Sequence, residues 1–276
     1  MPHTRKNIDA EIRRSLSAIA KLKNASAKEF VDIVNQLRER VILSIVQTGE
    51  INPVSADTIK AQVDSILSDY ERRLDGSLSE NQRRLFVKGL QVVDKAVTSA
   101  NLMLAVPYLS QQVLEQTQKY GATLITKLTD EARGAIAGEL DLAVLGQKSM
   151  QDVIRDIGPN LKSPSIFRSI ARRAEIIART EVNRIERMAT QDRLEQVQKQ
   201  IPDLKKQWFH SHVGVPRPGH LDLHRITVNA DEKFRLSGEN GRVYMIDGPY
   251  DPILPAGETI SCRCVAVPVV GRFQRE

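Results

Sequence analysis

Aromatic residues make up only 4% of this 276-residue chain, so its core must be built from Leu, Ile, Val and Ala. Cysteine occurs twice, which excludes a disulfide framework. No stretch approaches the roughly 18 apolar residues of a membrane span, so no membrane partner is expected. The opening MPHTRKNIDAEIRR has no apolar region of signal-peptide type, and no Sec export is expected. Proline is scarce before residue 150, where only Pro2, Pro53 and Pro107 occur; nine prolines follow.

That asymmetry predicts long helices first and a turn-rich, strand-containing module last. In KEFVDIVNQLRERVILSIV, Phe30, Ile33, Val34, Leu37, Val41 and Ile45 recur at helical steps. A second helix is expected to open with Ser55 as N-cap before Ile59, Val63, Ile66 and Leu67. A third starts near Ser79 through Leu85, Leu90, Val93 and Val97, with Pro107 ending or kinking it. One or two more span residues 111–146, with Gly146 as C-cap. SMQDVIRDIG reads as a short helix capped by Ser149 and stopped by Gly158-Pro159. From Pro164, placed in a first turn, to about Lys199 runs one long basic helix. Beyond Pro202, KKQWFHSH, RITV and RVYMI are candidate strands and ETISCRCVAVPVV is the clearest one. The expected fold is mainly α with a small C-terminal α+β module and an elongated helical N-terminal region. Its expected parts are residues 1–160, a long basic helix over 161–203, and the module over 204–276.

The net charge is +6 and uneven. Residues 1–160 carry 21 Lys+Arg against 20 Asp+Glu, and 161–206 carry 11 against 6. A polyanionic partner suits that segment, with Arg168, Arg172, Arg173, Arg184 and Arg187 as candidate DNA contacts; a solvated helix laced with salt bridges is the alternative. Within it, Arg179 and Glu181 could pair in a buried position and orient the helix against the module.

The two cysteines, Cys262 and Cys264, stand one residue apart. On a strand they share a face, with Cα atoms roughly 6.7 Å apart, which strains a disulfide but lets two thiolates converge on a metal. Four histidines, His210, His212, His220 and His224, fall within fifteen residues. If Pro218 starts a helix, His220 and His224 lie one turn apart and complete a four-ligand zinc set with the cysteines. Small apolar core residues and a hydrogen-bonded core histidine are the competing reading. HLDLH lacks the glutamate of HExxH, with Leu221 in its place, and a metalloprotease is rejected. LGQKS lacks the upstream glycine of a phosphate loop, and there is neither a GxGxxG nor a GxSxG motif.

Taken in order, DEARGAIAGELDLAVLGQKSMQDVIRDIG, RAEIIARTEVNRI, the Trp of KKQWF, RPGHLDLH, GPYDP and SCRCVAVPV resemble the phage head morphogenesis family. These are the minor capsid proteins related to the F protein of phage Mu. The resemblance covers about residues 120–270 and rests on Arg179, Thr180, Glu181, Trp208, Arg217, His220, Cys262, Arg263 and Cys264. Ser261 stands where the family often has Asn, and His224-Arg225 where it often has Asp-Gly after the histidine. His220 is therefore the family-matched histidine, and a site of His220 with the two cysteines stands beside the four-ligand set. The resemblance implies a non-enzymatic virion protein with no catalytic residues. It would lie inside the capsid at the portal vertex after assembly in the host cytoplasm. It would bind portal protein and double-stranded DNA, and contact major capsid or scaffolding protein and other copies of itself. Relatives carry toxin domains behind the shared module; with Glu276 six residues past the last apolar strand, none is expected here. The rival expectation is a zinc-dependent nuclease or hydrolase built on His220, His224, Cys262 and Cys264.

Overall fold

The computed structural model describes residues 5–103, 112–210 and 217–270. The expectations placed on Pro107 and His212 lie outside these residues. The fold is mainly α, with long helices in the N-terminal region and a small C-terminal region of short antiparallel strands. The chain forms two compact units. One comprises residues 24–80 and 118–179; the other comprises 1–23, 81–117 and 180–276. Both units draw on the expected helical region and on the basic helix.

Three long helices dominate: α1 (Arg5–Thr48), α2 (Pro53–Ser99) and α3 (Gln112–Val144). The stripe from Phe30 to Ile45 is buried as its spacing requires. It extends back through Ile8, Ile12 and Ile19, which is why α1 begins well before Lys28. α2 absorbs the two helices expected on either side of Ser79. Tyr70, Leu74, Leu78 and Leu85 are all buried, so the apolar stripe crosses Gly76 unbroken and outweighs the roughly 1 kcal/mol cost of one helical glycine. The N-cap of α2 is Asn52 rather than Ser55. Asn52 Oδ1 accepts from the Val54 and Ser55 N–H groups, and Ser55 Oγ accepts from the Asn52 N–H.

α4 (Met150–Ile157) has the expected Ser149 cap, completed as a capping box by Asp152, and stops at Gly158 with φ +117°. Gly146, at φ +72°, terminates the α3 end as expected. α5 (Ile166–Gln198) is capped by Ser165, whose Oγ accepts from the Arg168 N–H, so Pro164 precedes the helix instead of entering its first turn.

In the first unit, Arg133–Asp64 (2.8 Å) and Thr129–Glu71 (3.0 Å) tie α3 to α2. Arg40–Asp69 (3.3 Å) ties α1 to α2, and Arg173–Glu131 ties α5 to α3. In the second unit, α2 and α5 cross closely at Gly89. A Cβ there would stand 2.5 Å from the Glu186 carbonyl oxygen, so only glycine fits.

The C-terminal strands are β1 (Leu204–Phe209), β2 (Thr227–Asn229), β3 (Phe234–Ser237), β4 (Val243–Ile246) and β5 (Val265–Val270). They form an antiparallel sheet of order β2-β1-β5 and a β3–β4 hairpin. β3 was not expected; its four residues are too short for alternation to register, although Phe234 and Leu236 point inward. On β1, Leu204, Lys206 and Trp208 are buried in strict alternation. Leu204, Val267 and Val270 of this sheet pack with Ile8, Ile12, Val93, Val97, Leu194 and Val197. A second cluster holds Trp208, Phe234, Leu236, Ile246, Tyr250, Cys262 and Cys264. Among the described residues no helix is long and apolar enough to cross a membrane.

Candidate metal site

Two short helices position the site. α6 (Pro218–Asp222) starts with Pro218 at N1, as its sequence foretells, and carries His220. α7 (Ala256–Thr259) carries Glu258 and leads into the turn at Ser261, φ +60°. Cys262 and Cys264 follow in irregular backbone just before β5, not on the strand expected for them, because α7 occupies the start of that segment. Their side chains still meet on one target.

That target is Nδ1 of His220. Cys262 Sγ and Cys264 Sγ each lie 3.6 Å from it, and the three ligand atoms lie within 4.8 Å of one another. All three residues are buried. One Nδ1 cannot form two good hydrogen bonds to two thiols at once. The spacing fits a tetrahedral ion: metal–S near 2.3 Å and metal–N near 2.0 Å at a tetrahedral angle would put sulfur and nitrogen about 3.5 Å apart. This His/Cys/Cys group can hold a metal ion.

The protonation pattern suits a metal. The Cys262 thiol is held well below the usual range, chiefly by the hydrogen bond from Cys264 and then by His220, against burial. Cys264 is pushed up by its bond to Cys262 and by burial. Burial works against a charged His220, but Cys262 and Glu258 outweigh it and raise its pKa.

Surrounding groups fix the ring. Glu258 Oε2 accepts from His220 Nε2 at 3.0 Å. Trp208 meets the imidazole edge-on, with centroids 5.6 Å apart, and Phe234 backs Trp208 in the same way at 5.4 Å. Tyr250 Oη donates to the Cys262 carbonyl at 2.5 Å. Arg217 Nη2 donates to the Ile260 carbonyl at 2.8 Å. Gly219 was missed in sequence although it sits between the singled-out Pro218 and His220. A Cβ on it would lie 1.9 Å from the Ser237 carbonyl oxygen, so α6 reaches β3 only because residue 219 is glycine. Glu258 was missed because one acid on a loop-like stretch carries no pattern.

His224 does not join the group. α6 ends at Asp222, and the turn that follows carries Arg225 at φ +68°, so His220 and His224 never share a helical face. His224 Nδ1 instead accepts from the His210 N–H at 3.1 Å, and its ring packs on Phe209.

The basic residues separate sharply. Arg168 and Arg172 are exposed, and Arg173 is exposed with Glu131 as partner. Arg187 is buried against Glu186, which also accepts from Lys23 at 2.9 Å, and so cannot reach DNA. Arg184 bonds the buried Glu181 at 3.2 Å. Arg179 pairs with Glu175 at 2.9 Å and is part-exposed, so the expected buried Arg179–Glu181 pair is replaced by two separate pairs. Helical spacing explains this: residues 179 and 181 point to different sides, whereas 175/179 and 181/184 are neighbours. Thr180 Oγ1 is buried with no hydrogen-bond partner among the described residues, and Arg263 is exposed.

Fold and site together define a mainly helical protein with a buried His/Cys/Cys group in its C-terminal region. No family model matches the chain, and no solved structure matches it. It is 37% identical over 68 residues, 24% of its length, to "Uncharacterized protein YqbB" of Bacillus subtilis strain 168. It is 24% identical over 184 residues, 64% of its length, to "NAD(+)--arginine ADP-ribosyltransferase EFV" of Enterococcus faecalis strain V583. The chain spans 21% of the first protein and 35% of the second.

Proposed function

We propose that this chain is a minor head protein of a bacteriophage, docking on portal protein inside the capsid and touching packaged DNA, with zinc as a structural ion in the Cys2His cluster. One observation carries the reading. Residues singled out from separated stretches, namely Trp208, His220, Cys262 and Cys264, come together in one buried cluster, with Arg217 bracing the turn before it. Part of a pattern recognised along the chain thus meets in one place, and that supports the reading. Arg168 and Arg172, exposed on α5, are its DNA contacts, with Arg173 beside them. The zinc would be held by His220, Cys262 and Cys264, and it would cross-link α6 to the segment between α7 and β5.

The rival is an enzyme. Three ligands among the described residues leave a coordination position for water, as in catalytic zinc sites. Burial weighs against it: His220, Cys262 and Cys264 are each no more than 3% exposed. Glu258 also bonds the ligand histidine, which is the place of an orienting carboxylate and not of a free general base. For the similarity to the ADP-ribosyltransferase, our reading is that the matched part is a shared non-catalytic module of that longer protein.

The test is a pull-down of this protein with the portal protein encoded in the same phage genome, with zinc measured on the same sample. Portal binding with about one zinc per chain supports the proposal. Zinc with no portal binding, or arginine modification when NAD(+) is added, supports the enzyme.

A further inference from the structure

We propose that Glu258 is the positioning residue of the metal site, holding His220 with Nδ1 toward both sulfurs and linking the site to the β3–β4 turn. The inference rests on the zinc reading above. Glu258 is 3% exposed, and both of its oxygens are engaged. Oε2 accepts from His220 Nε2 at 3.0 Å, and Oε1 accepts from the Glu239 N–H at 2.8 Å. Arg217 Nε stands 3.9 Å from Oε2.

A carboxylate can only accept, so the proton of a neutral His220 is fixed on Nε2. The lone pair then lies on Nδ1, the atom that faces Cys262 and Cys264. Glu258 is not itself among the grouped ligands, so it acts through the histidine. Its second oxygen makes the histidine's anchor also the anchor of the turn. Gly238 permits this approach, since a Cβ there would fall 3.1 Å from Glu258 Oε1 and 2.7 Å from the Tyr244 ring. A buried carboxylate is costly unless it is fully bonded.

The experiment uses the full chain as wild type, Glu258→Ala, Glu258→Gln and Asn240→Ala. Zinc affinity is read by competition with a chromophoric chelator, and coordination by the visible spectrum of the Co2+ form. Protection of the Glu239 amide is read by hydrogen exchange. Glu258→Ala is expected to weaken zinc about 10–100-fold, altering the cobalt ligand-field bands while the sulfur charge-transfer band remains. Zinc should protect the Glu239 amide in the wild type and not in Glu258→Ala. Glu258→Gln still accepts from Nε2–H and should fall between; it carries the test if the alanine variant does not fold. Asn240 caps the same turn, accepting from the Arg242 N–H and bonding Tyr244 Oη, without touching His220. Its alanine variant should melt earlier with unchanged zinc affinity. Equal affinity in wild type and both Glu258 variants overturns the inference, as does an equal loss in Asn240→Ala. A wild type that takes up neither zinc nor cobalt overturns the zinc reading itself, and this inference falls with it.

Discussion

Gly219→Ala is the sharpest test of how the fold builds the site. The new Cβ would meet the Ser237 carbonyl oxygen at 1.9 Å and the Ser237 carbonyl carbon at 2.9 Å. Real Cβ atoms essentially never come nearer than 3.0 Å, so α6 and β3 must separate by about 1.1 Å. β3 cannot give way easily: it is paired with β4 over its four residues, and Leu236 beside the contact is fully buried. α6 therefore moves, and His220 is the next residue on it. A metal–ligand bond tolerates only about 0.2 Å, so a shift of that size takes Nδ1 out of the coordination shell. Overpacking adds a stability cost of about 1–3 kcal/mol. Thermal unfolding without metal should show the second effect, and a Co2+ titration should show the first as a loss of tetrahedral band intensity. An alanine variant that melts with the wild type and binds cobalt with the same spectrum would refute the argument that glycine sets this contact.

Cys264→Ser should abolish stoichiometric zinc by elemental analysis; retained zinc would mean the cysteines are core residues only. Glu186→Gln leaves Lys23 and Arg187 facing each other without their shared anion. The loss expected in denaturant unfolding is about 3–5 kcal/mol, partly restored by adding Lys23→Met. Burial already pushes Lys23 down to about 8, and an unchanged midpoint would show that the triad contributes nothing. Asp192 is raised to about 6 by burial and the neighbouring Glu195, against about 3.9 when unfolded. The folded chain therefore keeps a proton between those values that the unfolded chain has lost, and stability falls as pH rises from about 4 to 6. Discounted for its partial exposure, the effect is about 1 kcal/mol, so Asp192→Asn should be more stable at pH 7 with a flatter profile below pH 6. A variant less stable at pH 7 would contradict this.

Periodicity disclosed most of the helical architecture, because stripes such as Phe30–Ile45 need only local spacing to be seen. Helix ends were harder. Ser55 looked like a cap, but Asn52-Pro53 directly before it is stronger, with proline preorganised at N1 and asparagine accepting two N–H groups. A new helix looked to start near Ser79, but burial of Leu74, Leu78 and Leu85 carries one stripe through. In the site, CxC and a nearby histidine were visible as residue types. Their meeting depends on contacts across forty-odd residues that no spacing encodes. The choice of His220 over His224 turned on where a five-residue helix stops. Glu258 and Gly219 were invisible for the same reason: one orients and the other makes room, and neither needs a repeated pattern.

The basic helix shows how far a charge count misleads. Eleven cations against six anions over residues 161–206 suggest a broad polyanion-binding face. Yet Arg187 neutralises Glu186, Arg193 pairs with Asp94 at 2.6 Å, and Arg184 bonds Glu181. Those charges balance buried or half-buried carboxylates within the fold. Lys206 is likewise buried, with Nζ donating to the Asp247 carbonyl at 2.8 Å. What faces solvent on the N-terminal part of α5 is Arg168 and Arg172, four residues apart and so on one face, with Arg173 held by Glu131. Two to three phosphate contacts release as many counterions, which gives a salt slope of about −2 to −3 in log affinity against log salt. Non-specific duplex binding measured across a salt series should show that slope. The triple change Arg168→Glu, Arg172→Glu and Arg173→Glu should flatten it toward zero, while Arg187→Gln should leave it alone and lower stability. A wild-type slope steeper than about −5 would mean that DNA touches another surface. A triple variant with an unchanged slope would return these arginines to the role of a solvated helix face.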